Sequence, residues 1–246
     1  MRCGLFGKLP AKRDFVAPNA PRDFLSLWEP WVQGGVAASR LALGENWQAA
    51  FLQAPIWRFW LGRELCGGIV LGAMMPSVDG IGRYFPLTLF ARAEQGETIL
   101  SPDLDPQEAW LDGIEEILLS ALSPETSLDH LLAALSALGG PATGAPTPPM
   151  EVVPLSPAGW ATALPEGDVR AGLDRLCRAD PGRAAAGSSI WWTLGGGGVA
   201  PRALAVPGLP AASLFATLLT GAPSETAPPP SPLAPQADLP EGSPCP

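Results

Sequence analysis

The stretch Met75-Pro76-Ser77-Val78-Asp79-Gly80-Ile81-Gly82-Arg83-Tyr84-Phe85-Pro86-Leu87-Thr88 sets the tightest limits on how this chain folds. It connects two apolar runs, Gly68–Met75 and Tyr84–Ala93, that read as strands. The first run is nearly all apolar, the pattern of a strand covered on both faces. The connection itself carries an acid, Asp79, a base, Arg83, two glycines and two bracketing prolines. Surface that must be buried and polar groups that must be placed therefore meet in one short segment.

Other elements follow from spacing. Arg2–Gly7 reads as a first strand, ended by Lys8-Leu9-Pro10, and Ala11–Arg22 as a polar loop rich in turn formers. Phe24, Leu25, Trp28, Val32, Gly35, Val36, Ser39 and Leu43 recur at helical steps and predict one buried helix face. Pro30 removes a backbone donor, so that helix kinks or begins there. Gly44 suits its C-cap. Trp47–Leu52 fits a short helix and Ile56–Leu61 a strand. Asp105-Pro106-Gln107-Glu108 predicts a capping box with Asp105 as N-cap. Ser127 is positioned to cap the next helix, which Gly139-Gly140-Pro141 stops. Glu151–Leu155 predicts a short strand, Asp168–Arg178 a helix and Ser188–Leu194 a buried strand. Gly195–Gly198 turns the chain, Arg202–Val206 returns antiparallel, and Ala211–Thr220 closes as a helix. This order predicts an α/β fold: one mixed central sheet with helices on both faces, over residues 1–222. Residues 223–246 hold nine prolines, no basic residue and no aromatic, a composition expected to stay disordered.

Composition excludes several functions. A net charge of −9 argues against non-specific nucleic-acid binding. Charge is uneven, however: Arg2, Lys8, Lys12, Arg13 and Arg22 face Asp14 alone in the first 22 residues. Such a basic end either steers an acidic partner or is a solvated surface. Cys3, Cys66, Cys177 and Cys245 are scattered and His130 is the only histidine, so no zinc-ligand spacing exists and no metal or cofactor is expected. The cysteines read as reduced, mostly buried thiols. The first residues lack a signal-peptide apolar stretch, and the longest apolar run, Gly67–Pro76, is about half a membrane span. A cytoplasmic protein without membrane insertion is expected.

No catalytic constellation stands out, and the expectation is that the chain is not an enzyme. Ser39 and Ser77 lack a nucleophile elbow, and His130 sits among leucines at helical spacing. Gly195–Gly198 lacks the ending of a phosphate loop. Asp103, Asp105 and Asp112 lack calcium-loop spacing. Asp79 and Arg83 admit two readings. They form a recognition patch in which Arg83 grips an acidic or phosphorylated group, or Asp79 serves its own loop while Arg83 pairs with it or with Asp14. In Trp191-Trp192, strand alternation sends one ring to each face, so one is core and the other is core or partner surface.

Three segments in this order resemble one family. They are Gly4-Leu5-Phe6-Gly7-Lys8-Leu9-Pro10 through Asp14-Phe15-Val16, then Pro76 through Thr88, then Ser189-Ile190-Trp191-Trp192-Thr193. With Pro55–Phe59, they resemble the type VI secretion-associated TagF (ImpM) family over about residues 2–221. Arg13 departs from the family pattern, which has glycine before that aspartate. The resemblance implies a three-layer α/β/α sandwich without established catalytic residues. It also implies an accessory protein that represses assembly and firing of a contractile injection machine after translation, through a forkhead-associated scaffold protein. Some members carry a fused phosphatase domain, which is not expected in this chain. The residues proposed to contact a partner are Asp79, Arg83, Trp192, Lys8 and Asp14. Two other functions remain open: a small-molecule or nucleotide-responsive sensor beside Asp79 and Arg83, and a structural accessory of the secretion machine.

Overall fold

The computed structural model describes residues 1–144, 152–155, 159–162 and 186–222. Strand β1 (Arg2–Phe6) is followed by helix α1 (Arg22–Leu43) and α2 (Trp47–Gln53). Strand β2 (Trp57–Leu61), the single turn α3 (Arg63–Cys66), β3 (Val70–Met75) and β4 (Leu87–Arg92) come next. Helices α4 (Glu108–Ser120) and α5 (Leu128–Leu138) precede a separate hairpin, β5 (Val152–Leu155) and β6 (Gly159–Thr162). Strands β7 (Ser188–Thr193) and β8 (Arg202–Pro207) and helix α6 (Phe215–Thr220) complete the fold.

The main sheet has six strands in the order β1-β4-β3-β2-β7-β8. Every pairing in it is antiparallel, so the sheet is not the mixed one expected from sequence. Strand direction leaves no mark on a residue run whose two faces are both covered. The near-continuous apolar composition of β3 reports that coverage and nothing about orientation.

Alternation along the strands divides the core in two. On one face Leu71, Ala73, Met75 and Leu89 meet Trp110, Leu111 and Ile114 of α4 and Leu131 and Leu135 of α5. On the other, Phe59, Val70, Phe90 and Trp191 meet Phe24, Trp28 and Val32 of α1, Phe51 of α2 and Phe215 of α6. This second core is an aromatic layer. Trp28 lies 4.4 Å from Phe59 and stacks at 5.7 Å on Trp191. Gly35 makes room for it, because a Cβ there would stand 2.2 Å from the Phe215 ring. The buried indoles all find acceptors: Trp28 donates to Thr88 Oγ1, Trp47 to Ser39 Oγ, Trp57 to Leu218 O, Trp60 to Ile99 O and Trp191 to Ser189 Oγ.

Local expectations met mixed outcomes. Helix α1 begins at Arg22 and continues through Pro30, and Gly44 caps it with φ of 53°. Ser127 caps α5, its Oγ accepting from His130 N at 3.1 Å. The capping box did not form. Gln107 takes a left-handed conformation (φ 53°), and Asp105 turns to accept its N–H and its side-chain amide. Gln107 is in turn engaged by the backbone of Ala142, and α4 starts at Glu108. Gly195–Gly198 forms the expected turn between β7 and β8. Strand β4 starts after Pro86 instead of at Tyr84. Cys66 is buried, which pushes its thiol up to about 11, and Cys3 is half-buried. The predicted helix Asp168–Arg178, Cys177, Cys245 and the tail from residue 223 lie outside the described residues.

Trp191 is fully buried while Trp192, its neighbour, is only half-buried on the opposite face. Trp191→Ala should therefore cost about 3–5 kcal/mol in urea unfolding. Trp192→Ala should cost less than half as much. Equal losses would contradict the two-core arrangement.

Candidate functional site

The stretch between β3 and β4 folds back against the segment after β1. Gly7 permits the closest approach: its φ is 140°, and a Cβ would stand 2.1 Å from Pro86 O. Gly7 and Val16 exchange both backbone hydrogen bonds at 3.0 Å, which turns the Lys8–Phe15 loop toward the connection. Ser77 Oγ then donates to Lys8 O at 2.7 Å, and Gly80 N to Lys12 O at 2.9 Å. On the other side, Tyr84 Oη accepts from Gln48 Nε2 at 2.5 Å and packs edge-on against Trp47.

Asp79 is the hub of this junction. Its Oδ2 accepts from Lys8 Nζ at 2.5 Å and from Arg83 Nε at 2.7 Å. Its Oδ1 accepts from the backbone N–H groups of Ile81 at 3.1 Å and Arg83 at 2.8 Å. Burial by itself would push the carboxyl up. The donors outweigh it, Lys8 foremost, then the Arg83 N–H and side chain and the Ile81 N–H, and hold the group well below the usual carboxylate range. Lys8 also lies 4.5 Å above the Phe15 ring, a cation–π contact. Phe15 continues this into an edge-on contact with Phe85 at 4.8 Å, and Phe85 meets Phe6 at 5.8 Å.

Exposure separates the roles. The side chains of Lys8 and Asp79 are 4% and 0% exposed, whereas that of Arg83 is 52% exposed. The buried pair therefore braces the junction, and Arg83 presents part of its guanidinium outward while also donating to Arg13 O. Asp14 is exposed and makes none of these bonds. The outer surface is completed by Lys12, Arg13, Phe15 at 45% exposure and Ile81 at 56%.

Trp192 is not part of this junction. It lines a groove of about 350 Å³ with Arg58, Asp103, Ile190 and Leu194, on the α4 face of the sheet. Arg58 is a key residue that sequence reasoning passed over. Its nearly buried guanidinium bridges β2 to α4, through Asp112 at 2.7 Å and Glu115 at 2.5 Å. Burial opposes its charge, but these two carboxylates raise its pKa further above the ordinary value. The available signal was a lone arginine inside Ile56-Trp57-Arg58-Phe59-Trp60, since a charge in a buried strand requires a partner.

The sequence model of the TagF N-terminal domain, described as type VI secretion system-associated, matches residues 4–138. The chain belongs to this family. Among solved structures it is similar to the crystal structure of PA0076 from Pseudomonas aeruginosa PAO1, with 29% identity and a TM-score of 0.74. That likeness covers 95% of this chain and 100% of the other. A comparison with curated proteins finds no match. The TagF match contains both halves of the Lys8–Asp79 junction, whereas Trp191 and Trp192 lie beyond it.

Removing Asp79 leaves Lys8 buried without a counter-charge, so Asp79→Asn should cost about 3–5 kcal/mol by urea denaturation. Arg83→Ala removes a half-exposed partner and should cost less than about 1 kcal/mol. The lowered Asp79 pKa stabilises the folded chain fully above the ordinary aspartate value of ~3.9. That contribution is lost as pH falls from there toward the lower folded value. Acid unfolding of Asp79→Asn should accordingly show a shallower loss of stability below pH ~4 than the parent chain. An equally steep loss would remove the carboxylate as its source.

Proposed function

We propose that this TagF-family protein is a cytoplasmic repressor of type VI secretion that acts after translation. It works by binding another component of the machine, a forkhead-associated scaffold protein, and not by catalysis. Family membership supports the association with type VI secretion. The observation that carries the binding mode is the surface over the Lys8–Asp79 junction. There Lys12, Arg13 and Arg83 are exposed along with Phe15 and Ile81, with Asp14 as the one acid of the 12–15 segment, on a chain whose net charge is −9. Exposed cations together with apolar anchors suit an acidic partner, with charge steering the encounter and the anchors holding the complex. The buried hydrogen bonds beneath preorganise that surface, which lowers the ordering cost of association.

A catalytic or ligand-sensing role for Asp79 draws less support. Both its oxygens are occupied by donors from its own fold, which leaves it little capacity to serve as a base or to grip a ligand. No helix among the described residues is long and apolar enough to cross a membrane.

Deletion in a strain with active type VI secretion should increase sheath assembly or effector release with component transcripts unchanged. Unchanged secretion refutes repression, and loss of assembly favours a structural accessory. Within the full chain, Ile81→Asp combined with Phe15→Ala should reduce capture of the forkhead-associated scaffold at least about tenfold, the scale of one lost anchor. Circular dichroism should remain native. If Trp192→Ala abolishes capture while that double variant does not, the contact lies in the α4-face groove instead.

A further inference from the structure

Ile190, Trp192 and Leu194 alternate along β7 and so share one face, where they line a groove of about 350 Å³. The segment before α4 lines it as well, with Pro102, Asp103 and Pro106. On β8 only small residues accompany the large ones: Ala203 stands opposite Trp192 and Ala205 opposite Ile190, which leaves a trough beside the indole. This surface is apolar and open, since Ile190 and Trp192 are half-buried and Leu194 is 63% exposed. One donor in it is unused. Half-buried Trp31 donates to Pro210 O at 2.7 Å, and the buried indoles likewise find acceptors. Trp192 Nε1 has no acceptor among the described residues. The charges here count against an acidic occupant. Arg58 is spent on Asp112 and Glu115, while Asp103 and Glu108 enter no ion pair among the described residues. A fitting occupant is neutral, apolar and rich in free carbonyl groups.

The chain itself supplies such a segment. Residues 228–235, Pro-Pro-Pro-Ser-Pro-Leu-Ala-Pro, carry no charge, and the flanking acids Glu225 and Asp238 lie outside the run. Pro229, Pro232 and Pro235 recur at every third residue, the period of a polyproline II helix, and so form one edge of it. Such a helix has no internal hydrogen bonds, so its carbonyls are free to accept, and the fixed proline φ lowers the cost of ordering it. From Pro229 to Pro235 it spans about 19 Å at ~3.1 Å per residue. Ile190 to Leu194 extends about 13 Å at ~3.3 Å per residue, so the proline row covers the apolar face from end to end. The tail also leaves the domain close by. Arg202, paired with Thr193 across β7 and β8, donates to Gly221 O, which holds the start of the tail at the strand ends that bear Leu194 and Ala203. Strand β8 is the edge of the sheet. The residues from Ala222 to Pro229 reach about 22 Å at ~3.1 Å each. That is enough to round the edge from the α6 face across the ~10 Å of a packed layer.

We propose that residues 228–235 of this chain lie in the Trp192 groove as a polyproline II helix, with Trp192 Nε1 donating to a tail carbonyl and proline rings packed on the indole and on Leu194. Grooves lined by aromatic side chains recognise proline-rich segments in this way. Binding in this form needs no core within the tail, which its composition could not supply. The site is separate from the surface over the Lys8–Asp79 junction and does not depend on it.

The test uses the full chain labelled with 5-fluorotryptophan, whose Trp192 fluorine resonance is assigned by its absence in Trp192→Phe. A triple variant, Pro229→Gly, Pro232→Gly and Pro235→Gly, changes nothing before residue 223. It should shift the Trp192 resonance and leave that of buried Trp191 in place. A synthetic peptide of residues 225–238 should bind the triple variant at least about tenfold tighter than the unaltered chain, because a tethered tail competes at an effective concentration on the order of 1 mM. Adding Trp192→Phe to the triple variant should weaken the peptide about fivefold, the scale of one hydrogen bond. Equal peptide affinity for the unaltered chain and the triple variant would overturn occupation by the chain's own tail and leave the groove to the tail of a second copy. An unmoved Trp192 resonance together with no peptide binding would overturn the site. A resonance indifferent to the tail but shifted by Leu173→Asp would overturn it in favour of residues 163–185.

Discussion

The buried Lys8–Asp79 pair is the interaction on which the packing of the β3–β4 connection against the segment after β1 depends. One carboxylate accepts from a lysine on the segment after β1, from Arg83 and from two backbone N–H groups of its own loop. Desolvating both charges is expensive, and a buried pair of this kind contributes modest net stability. Its value lies in the alternatives it forbids. Any other placement of either loop would strand a charge away from water. The Lys8–Phe15 loop and the β3–β4 connection are thereby locked to each other, and the exposed rim keeps its shape.

That lock rests on a sheet held from both sides. One face is closed by α4 and α5 through aliphatic packing, and by the Arg58 bridge to Asp112 and Glu115. The other is closed by α1, α2 and α6 through aromatic rings whose indoles all have acceptors. The difference matters for plasticity. Stacked rings such as Trp28 on Trp191 admit few alternative packings. Strands β3 and β4 run antiparallel in this rigid frame, and the Asp79 junction joins them at one end.

Much of the fold was readable because periodicity and turn chemistry are local. The buried face of α1, the Ser127 cap and the glycine turn between β7 and β8 depend on residues close in sequence. Where long-range contacts compete, local signals failed. Asp105-Pro106-Gln107-Glu108 has the composition of a capping box, but Ala142 captures Gln107 and displaces the helix start. Of the residues singled out for recognition, Lys8, Asp79 and Arg83 meet, whereas Asp14 faces solvent and Trp192 lies on the other side of the sheet.

By itself the sequence determined that this is an α/β chain of the TagF family, with β3 covered on both faces, and it left Asp79 with two readings, a recognition patch or a brace of its own loop. Coverage of β3 follows from apolar patterning, and the brace is the short-range hydrogen bonding usual for a turn acid. Only the tertiary structure decided that the sheet is antiparallel throughout, that Lys8 is the buried counter-charge of Asp79, and that Arg58 bridges to α4. Strand direction and ion pairing join residues far apart in the chain. Nothing in a residue's neighbours specifies which distant group will reach it, so those choices are made when the sheet and its helices pack.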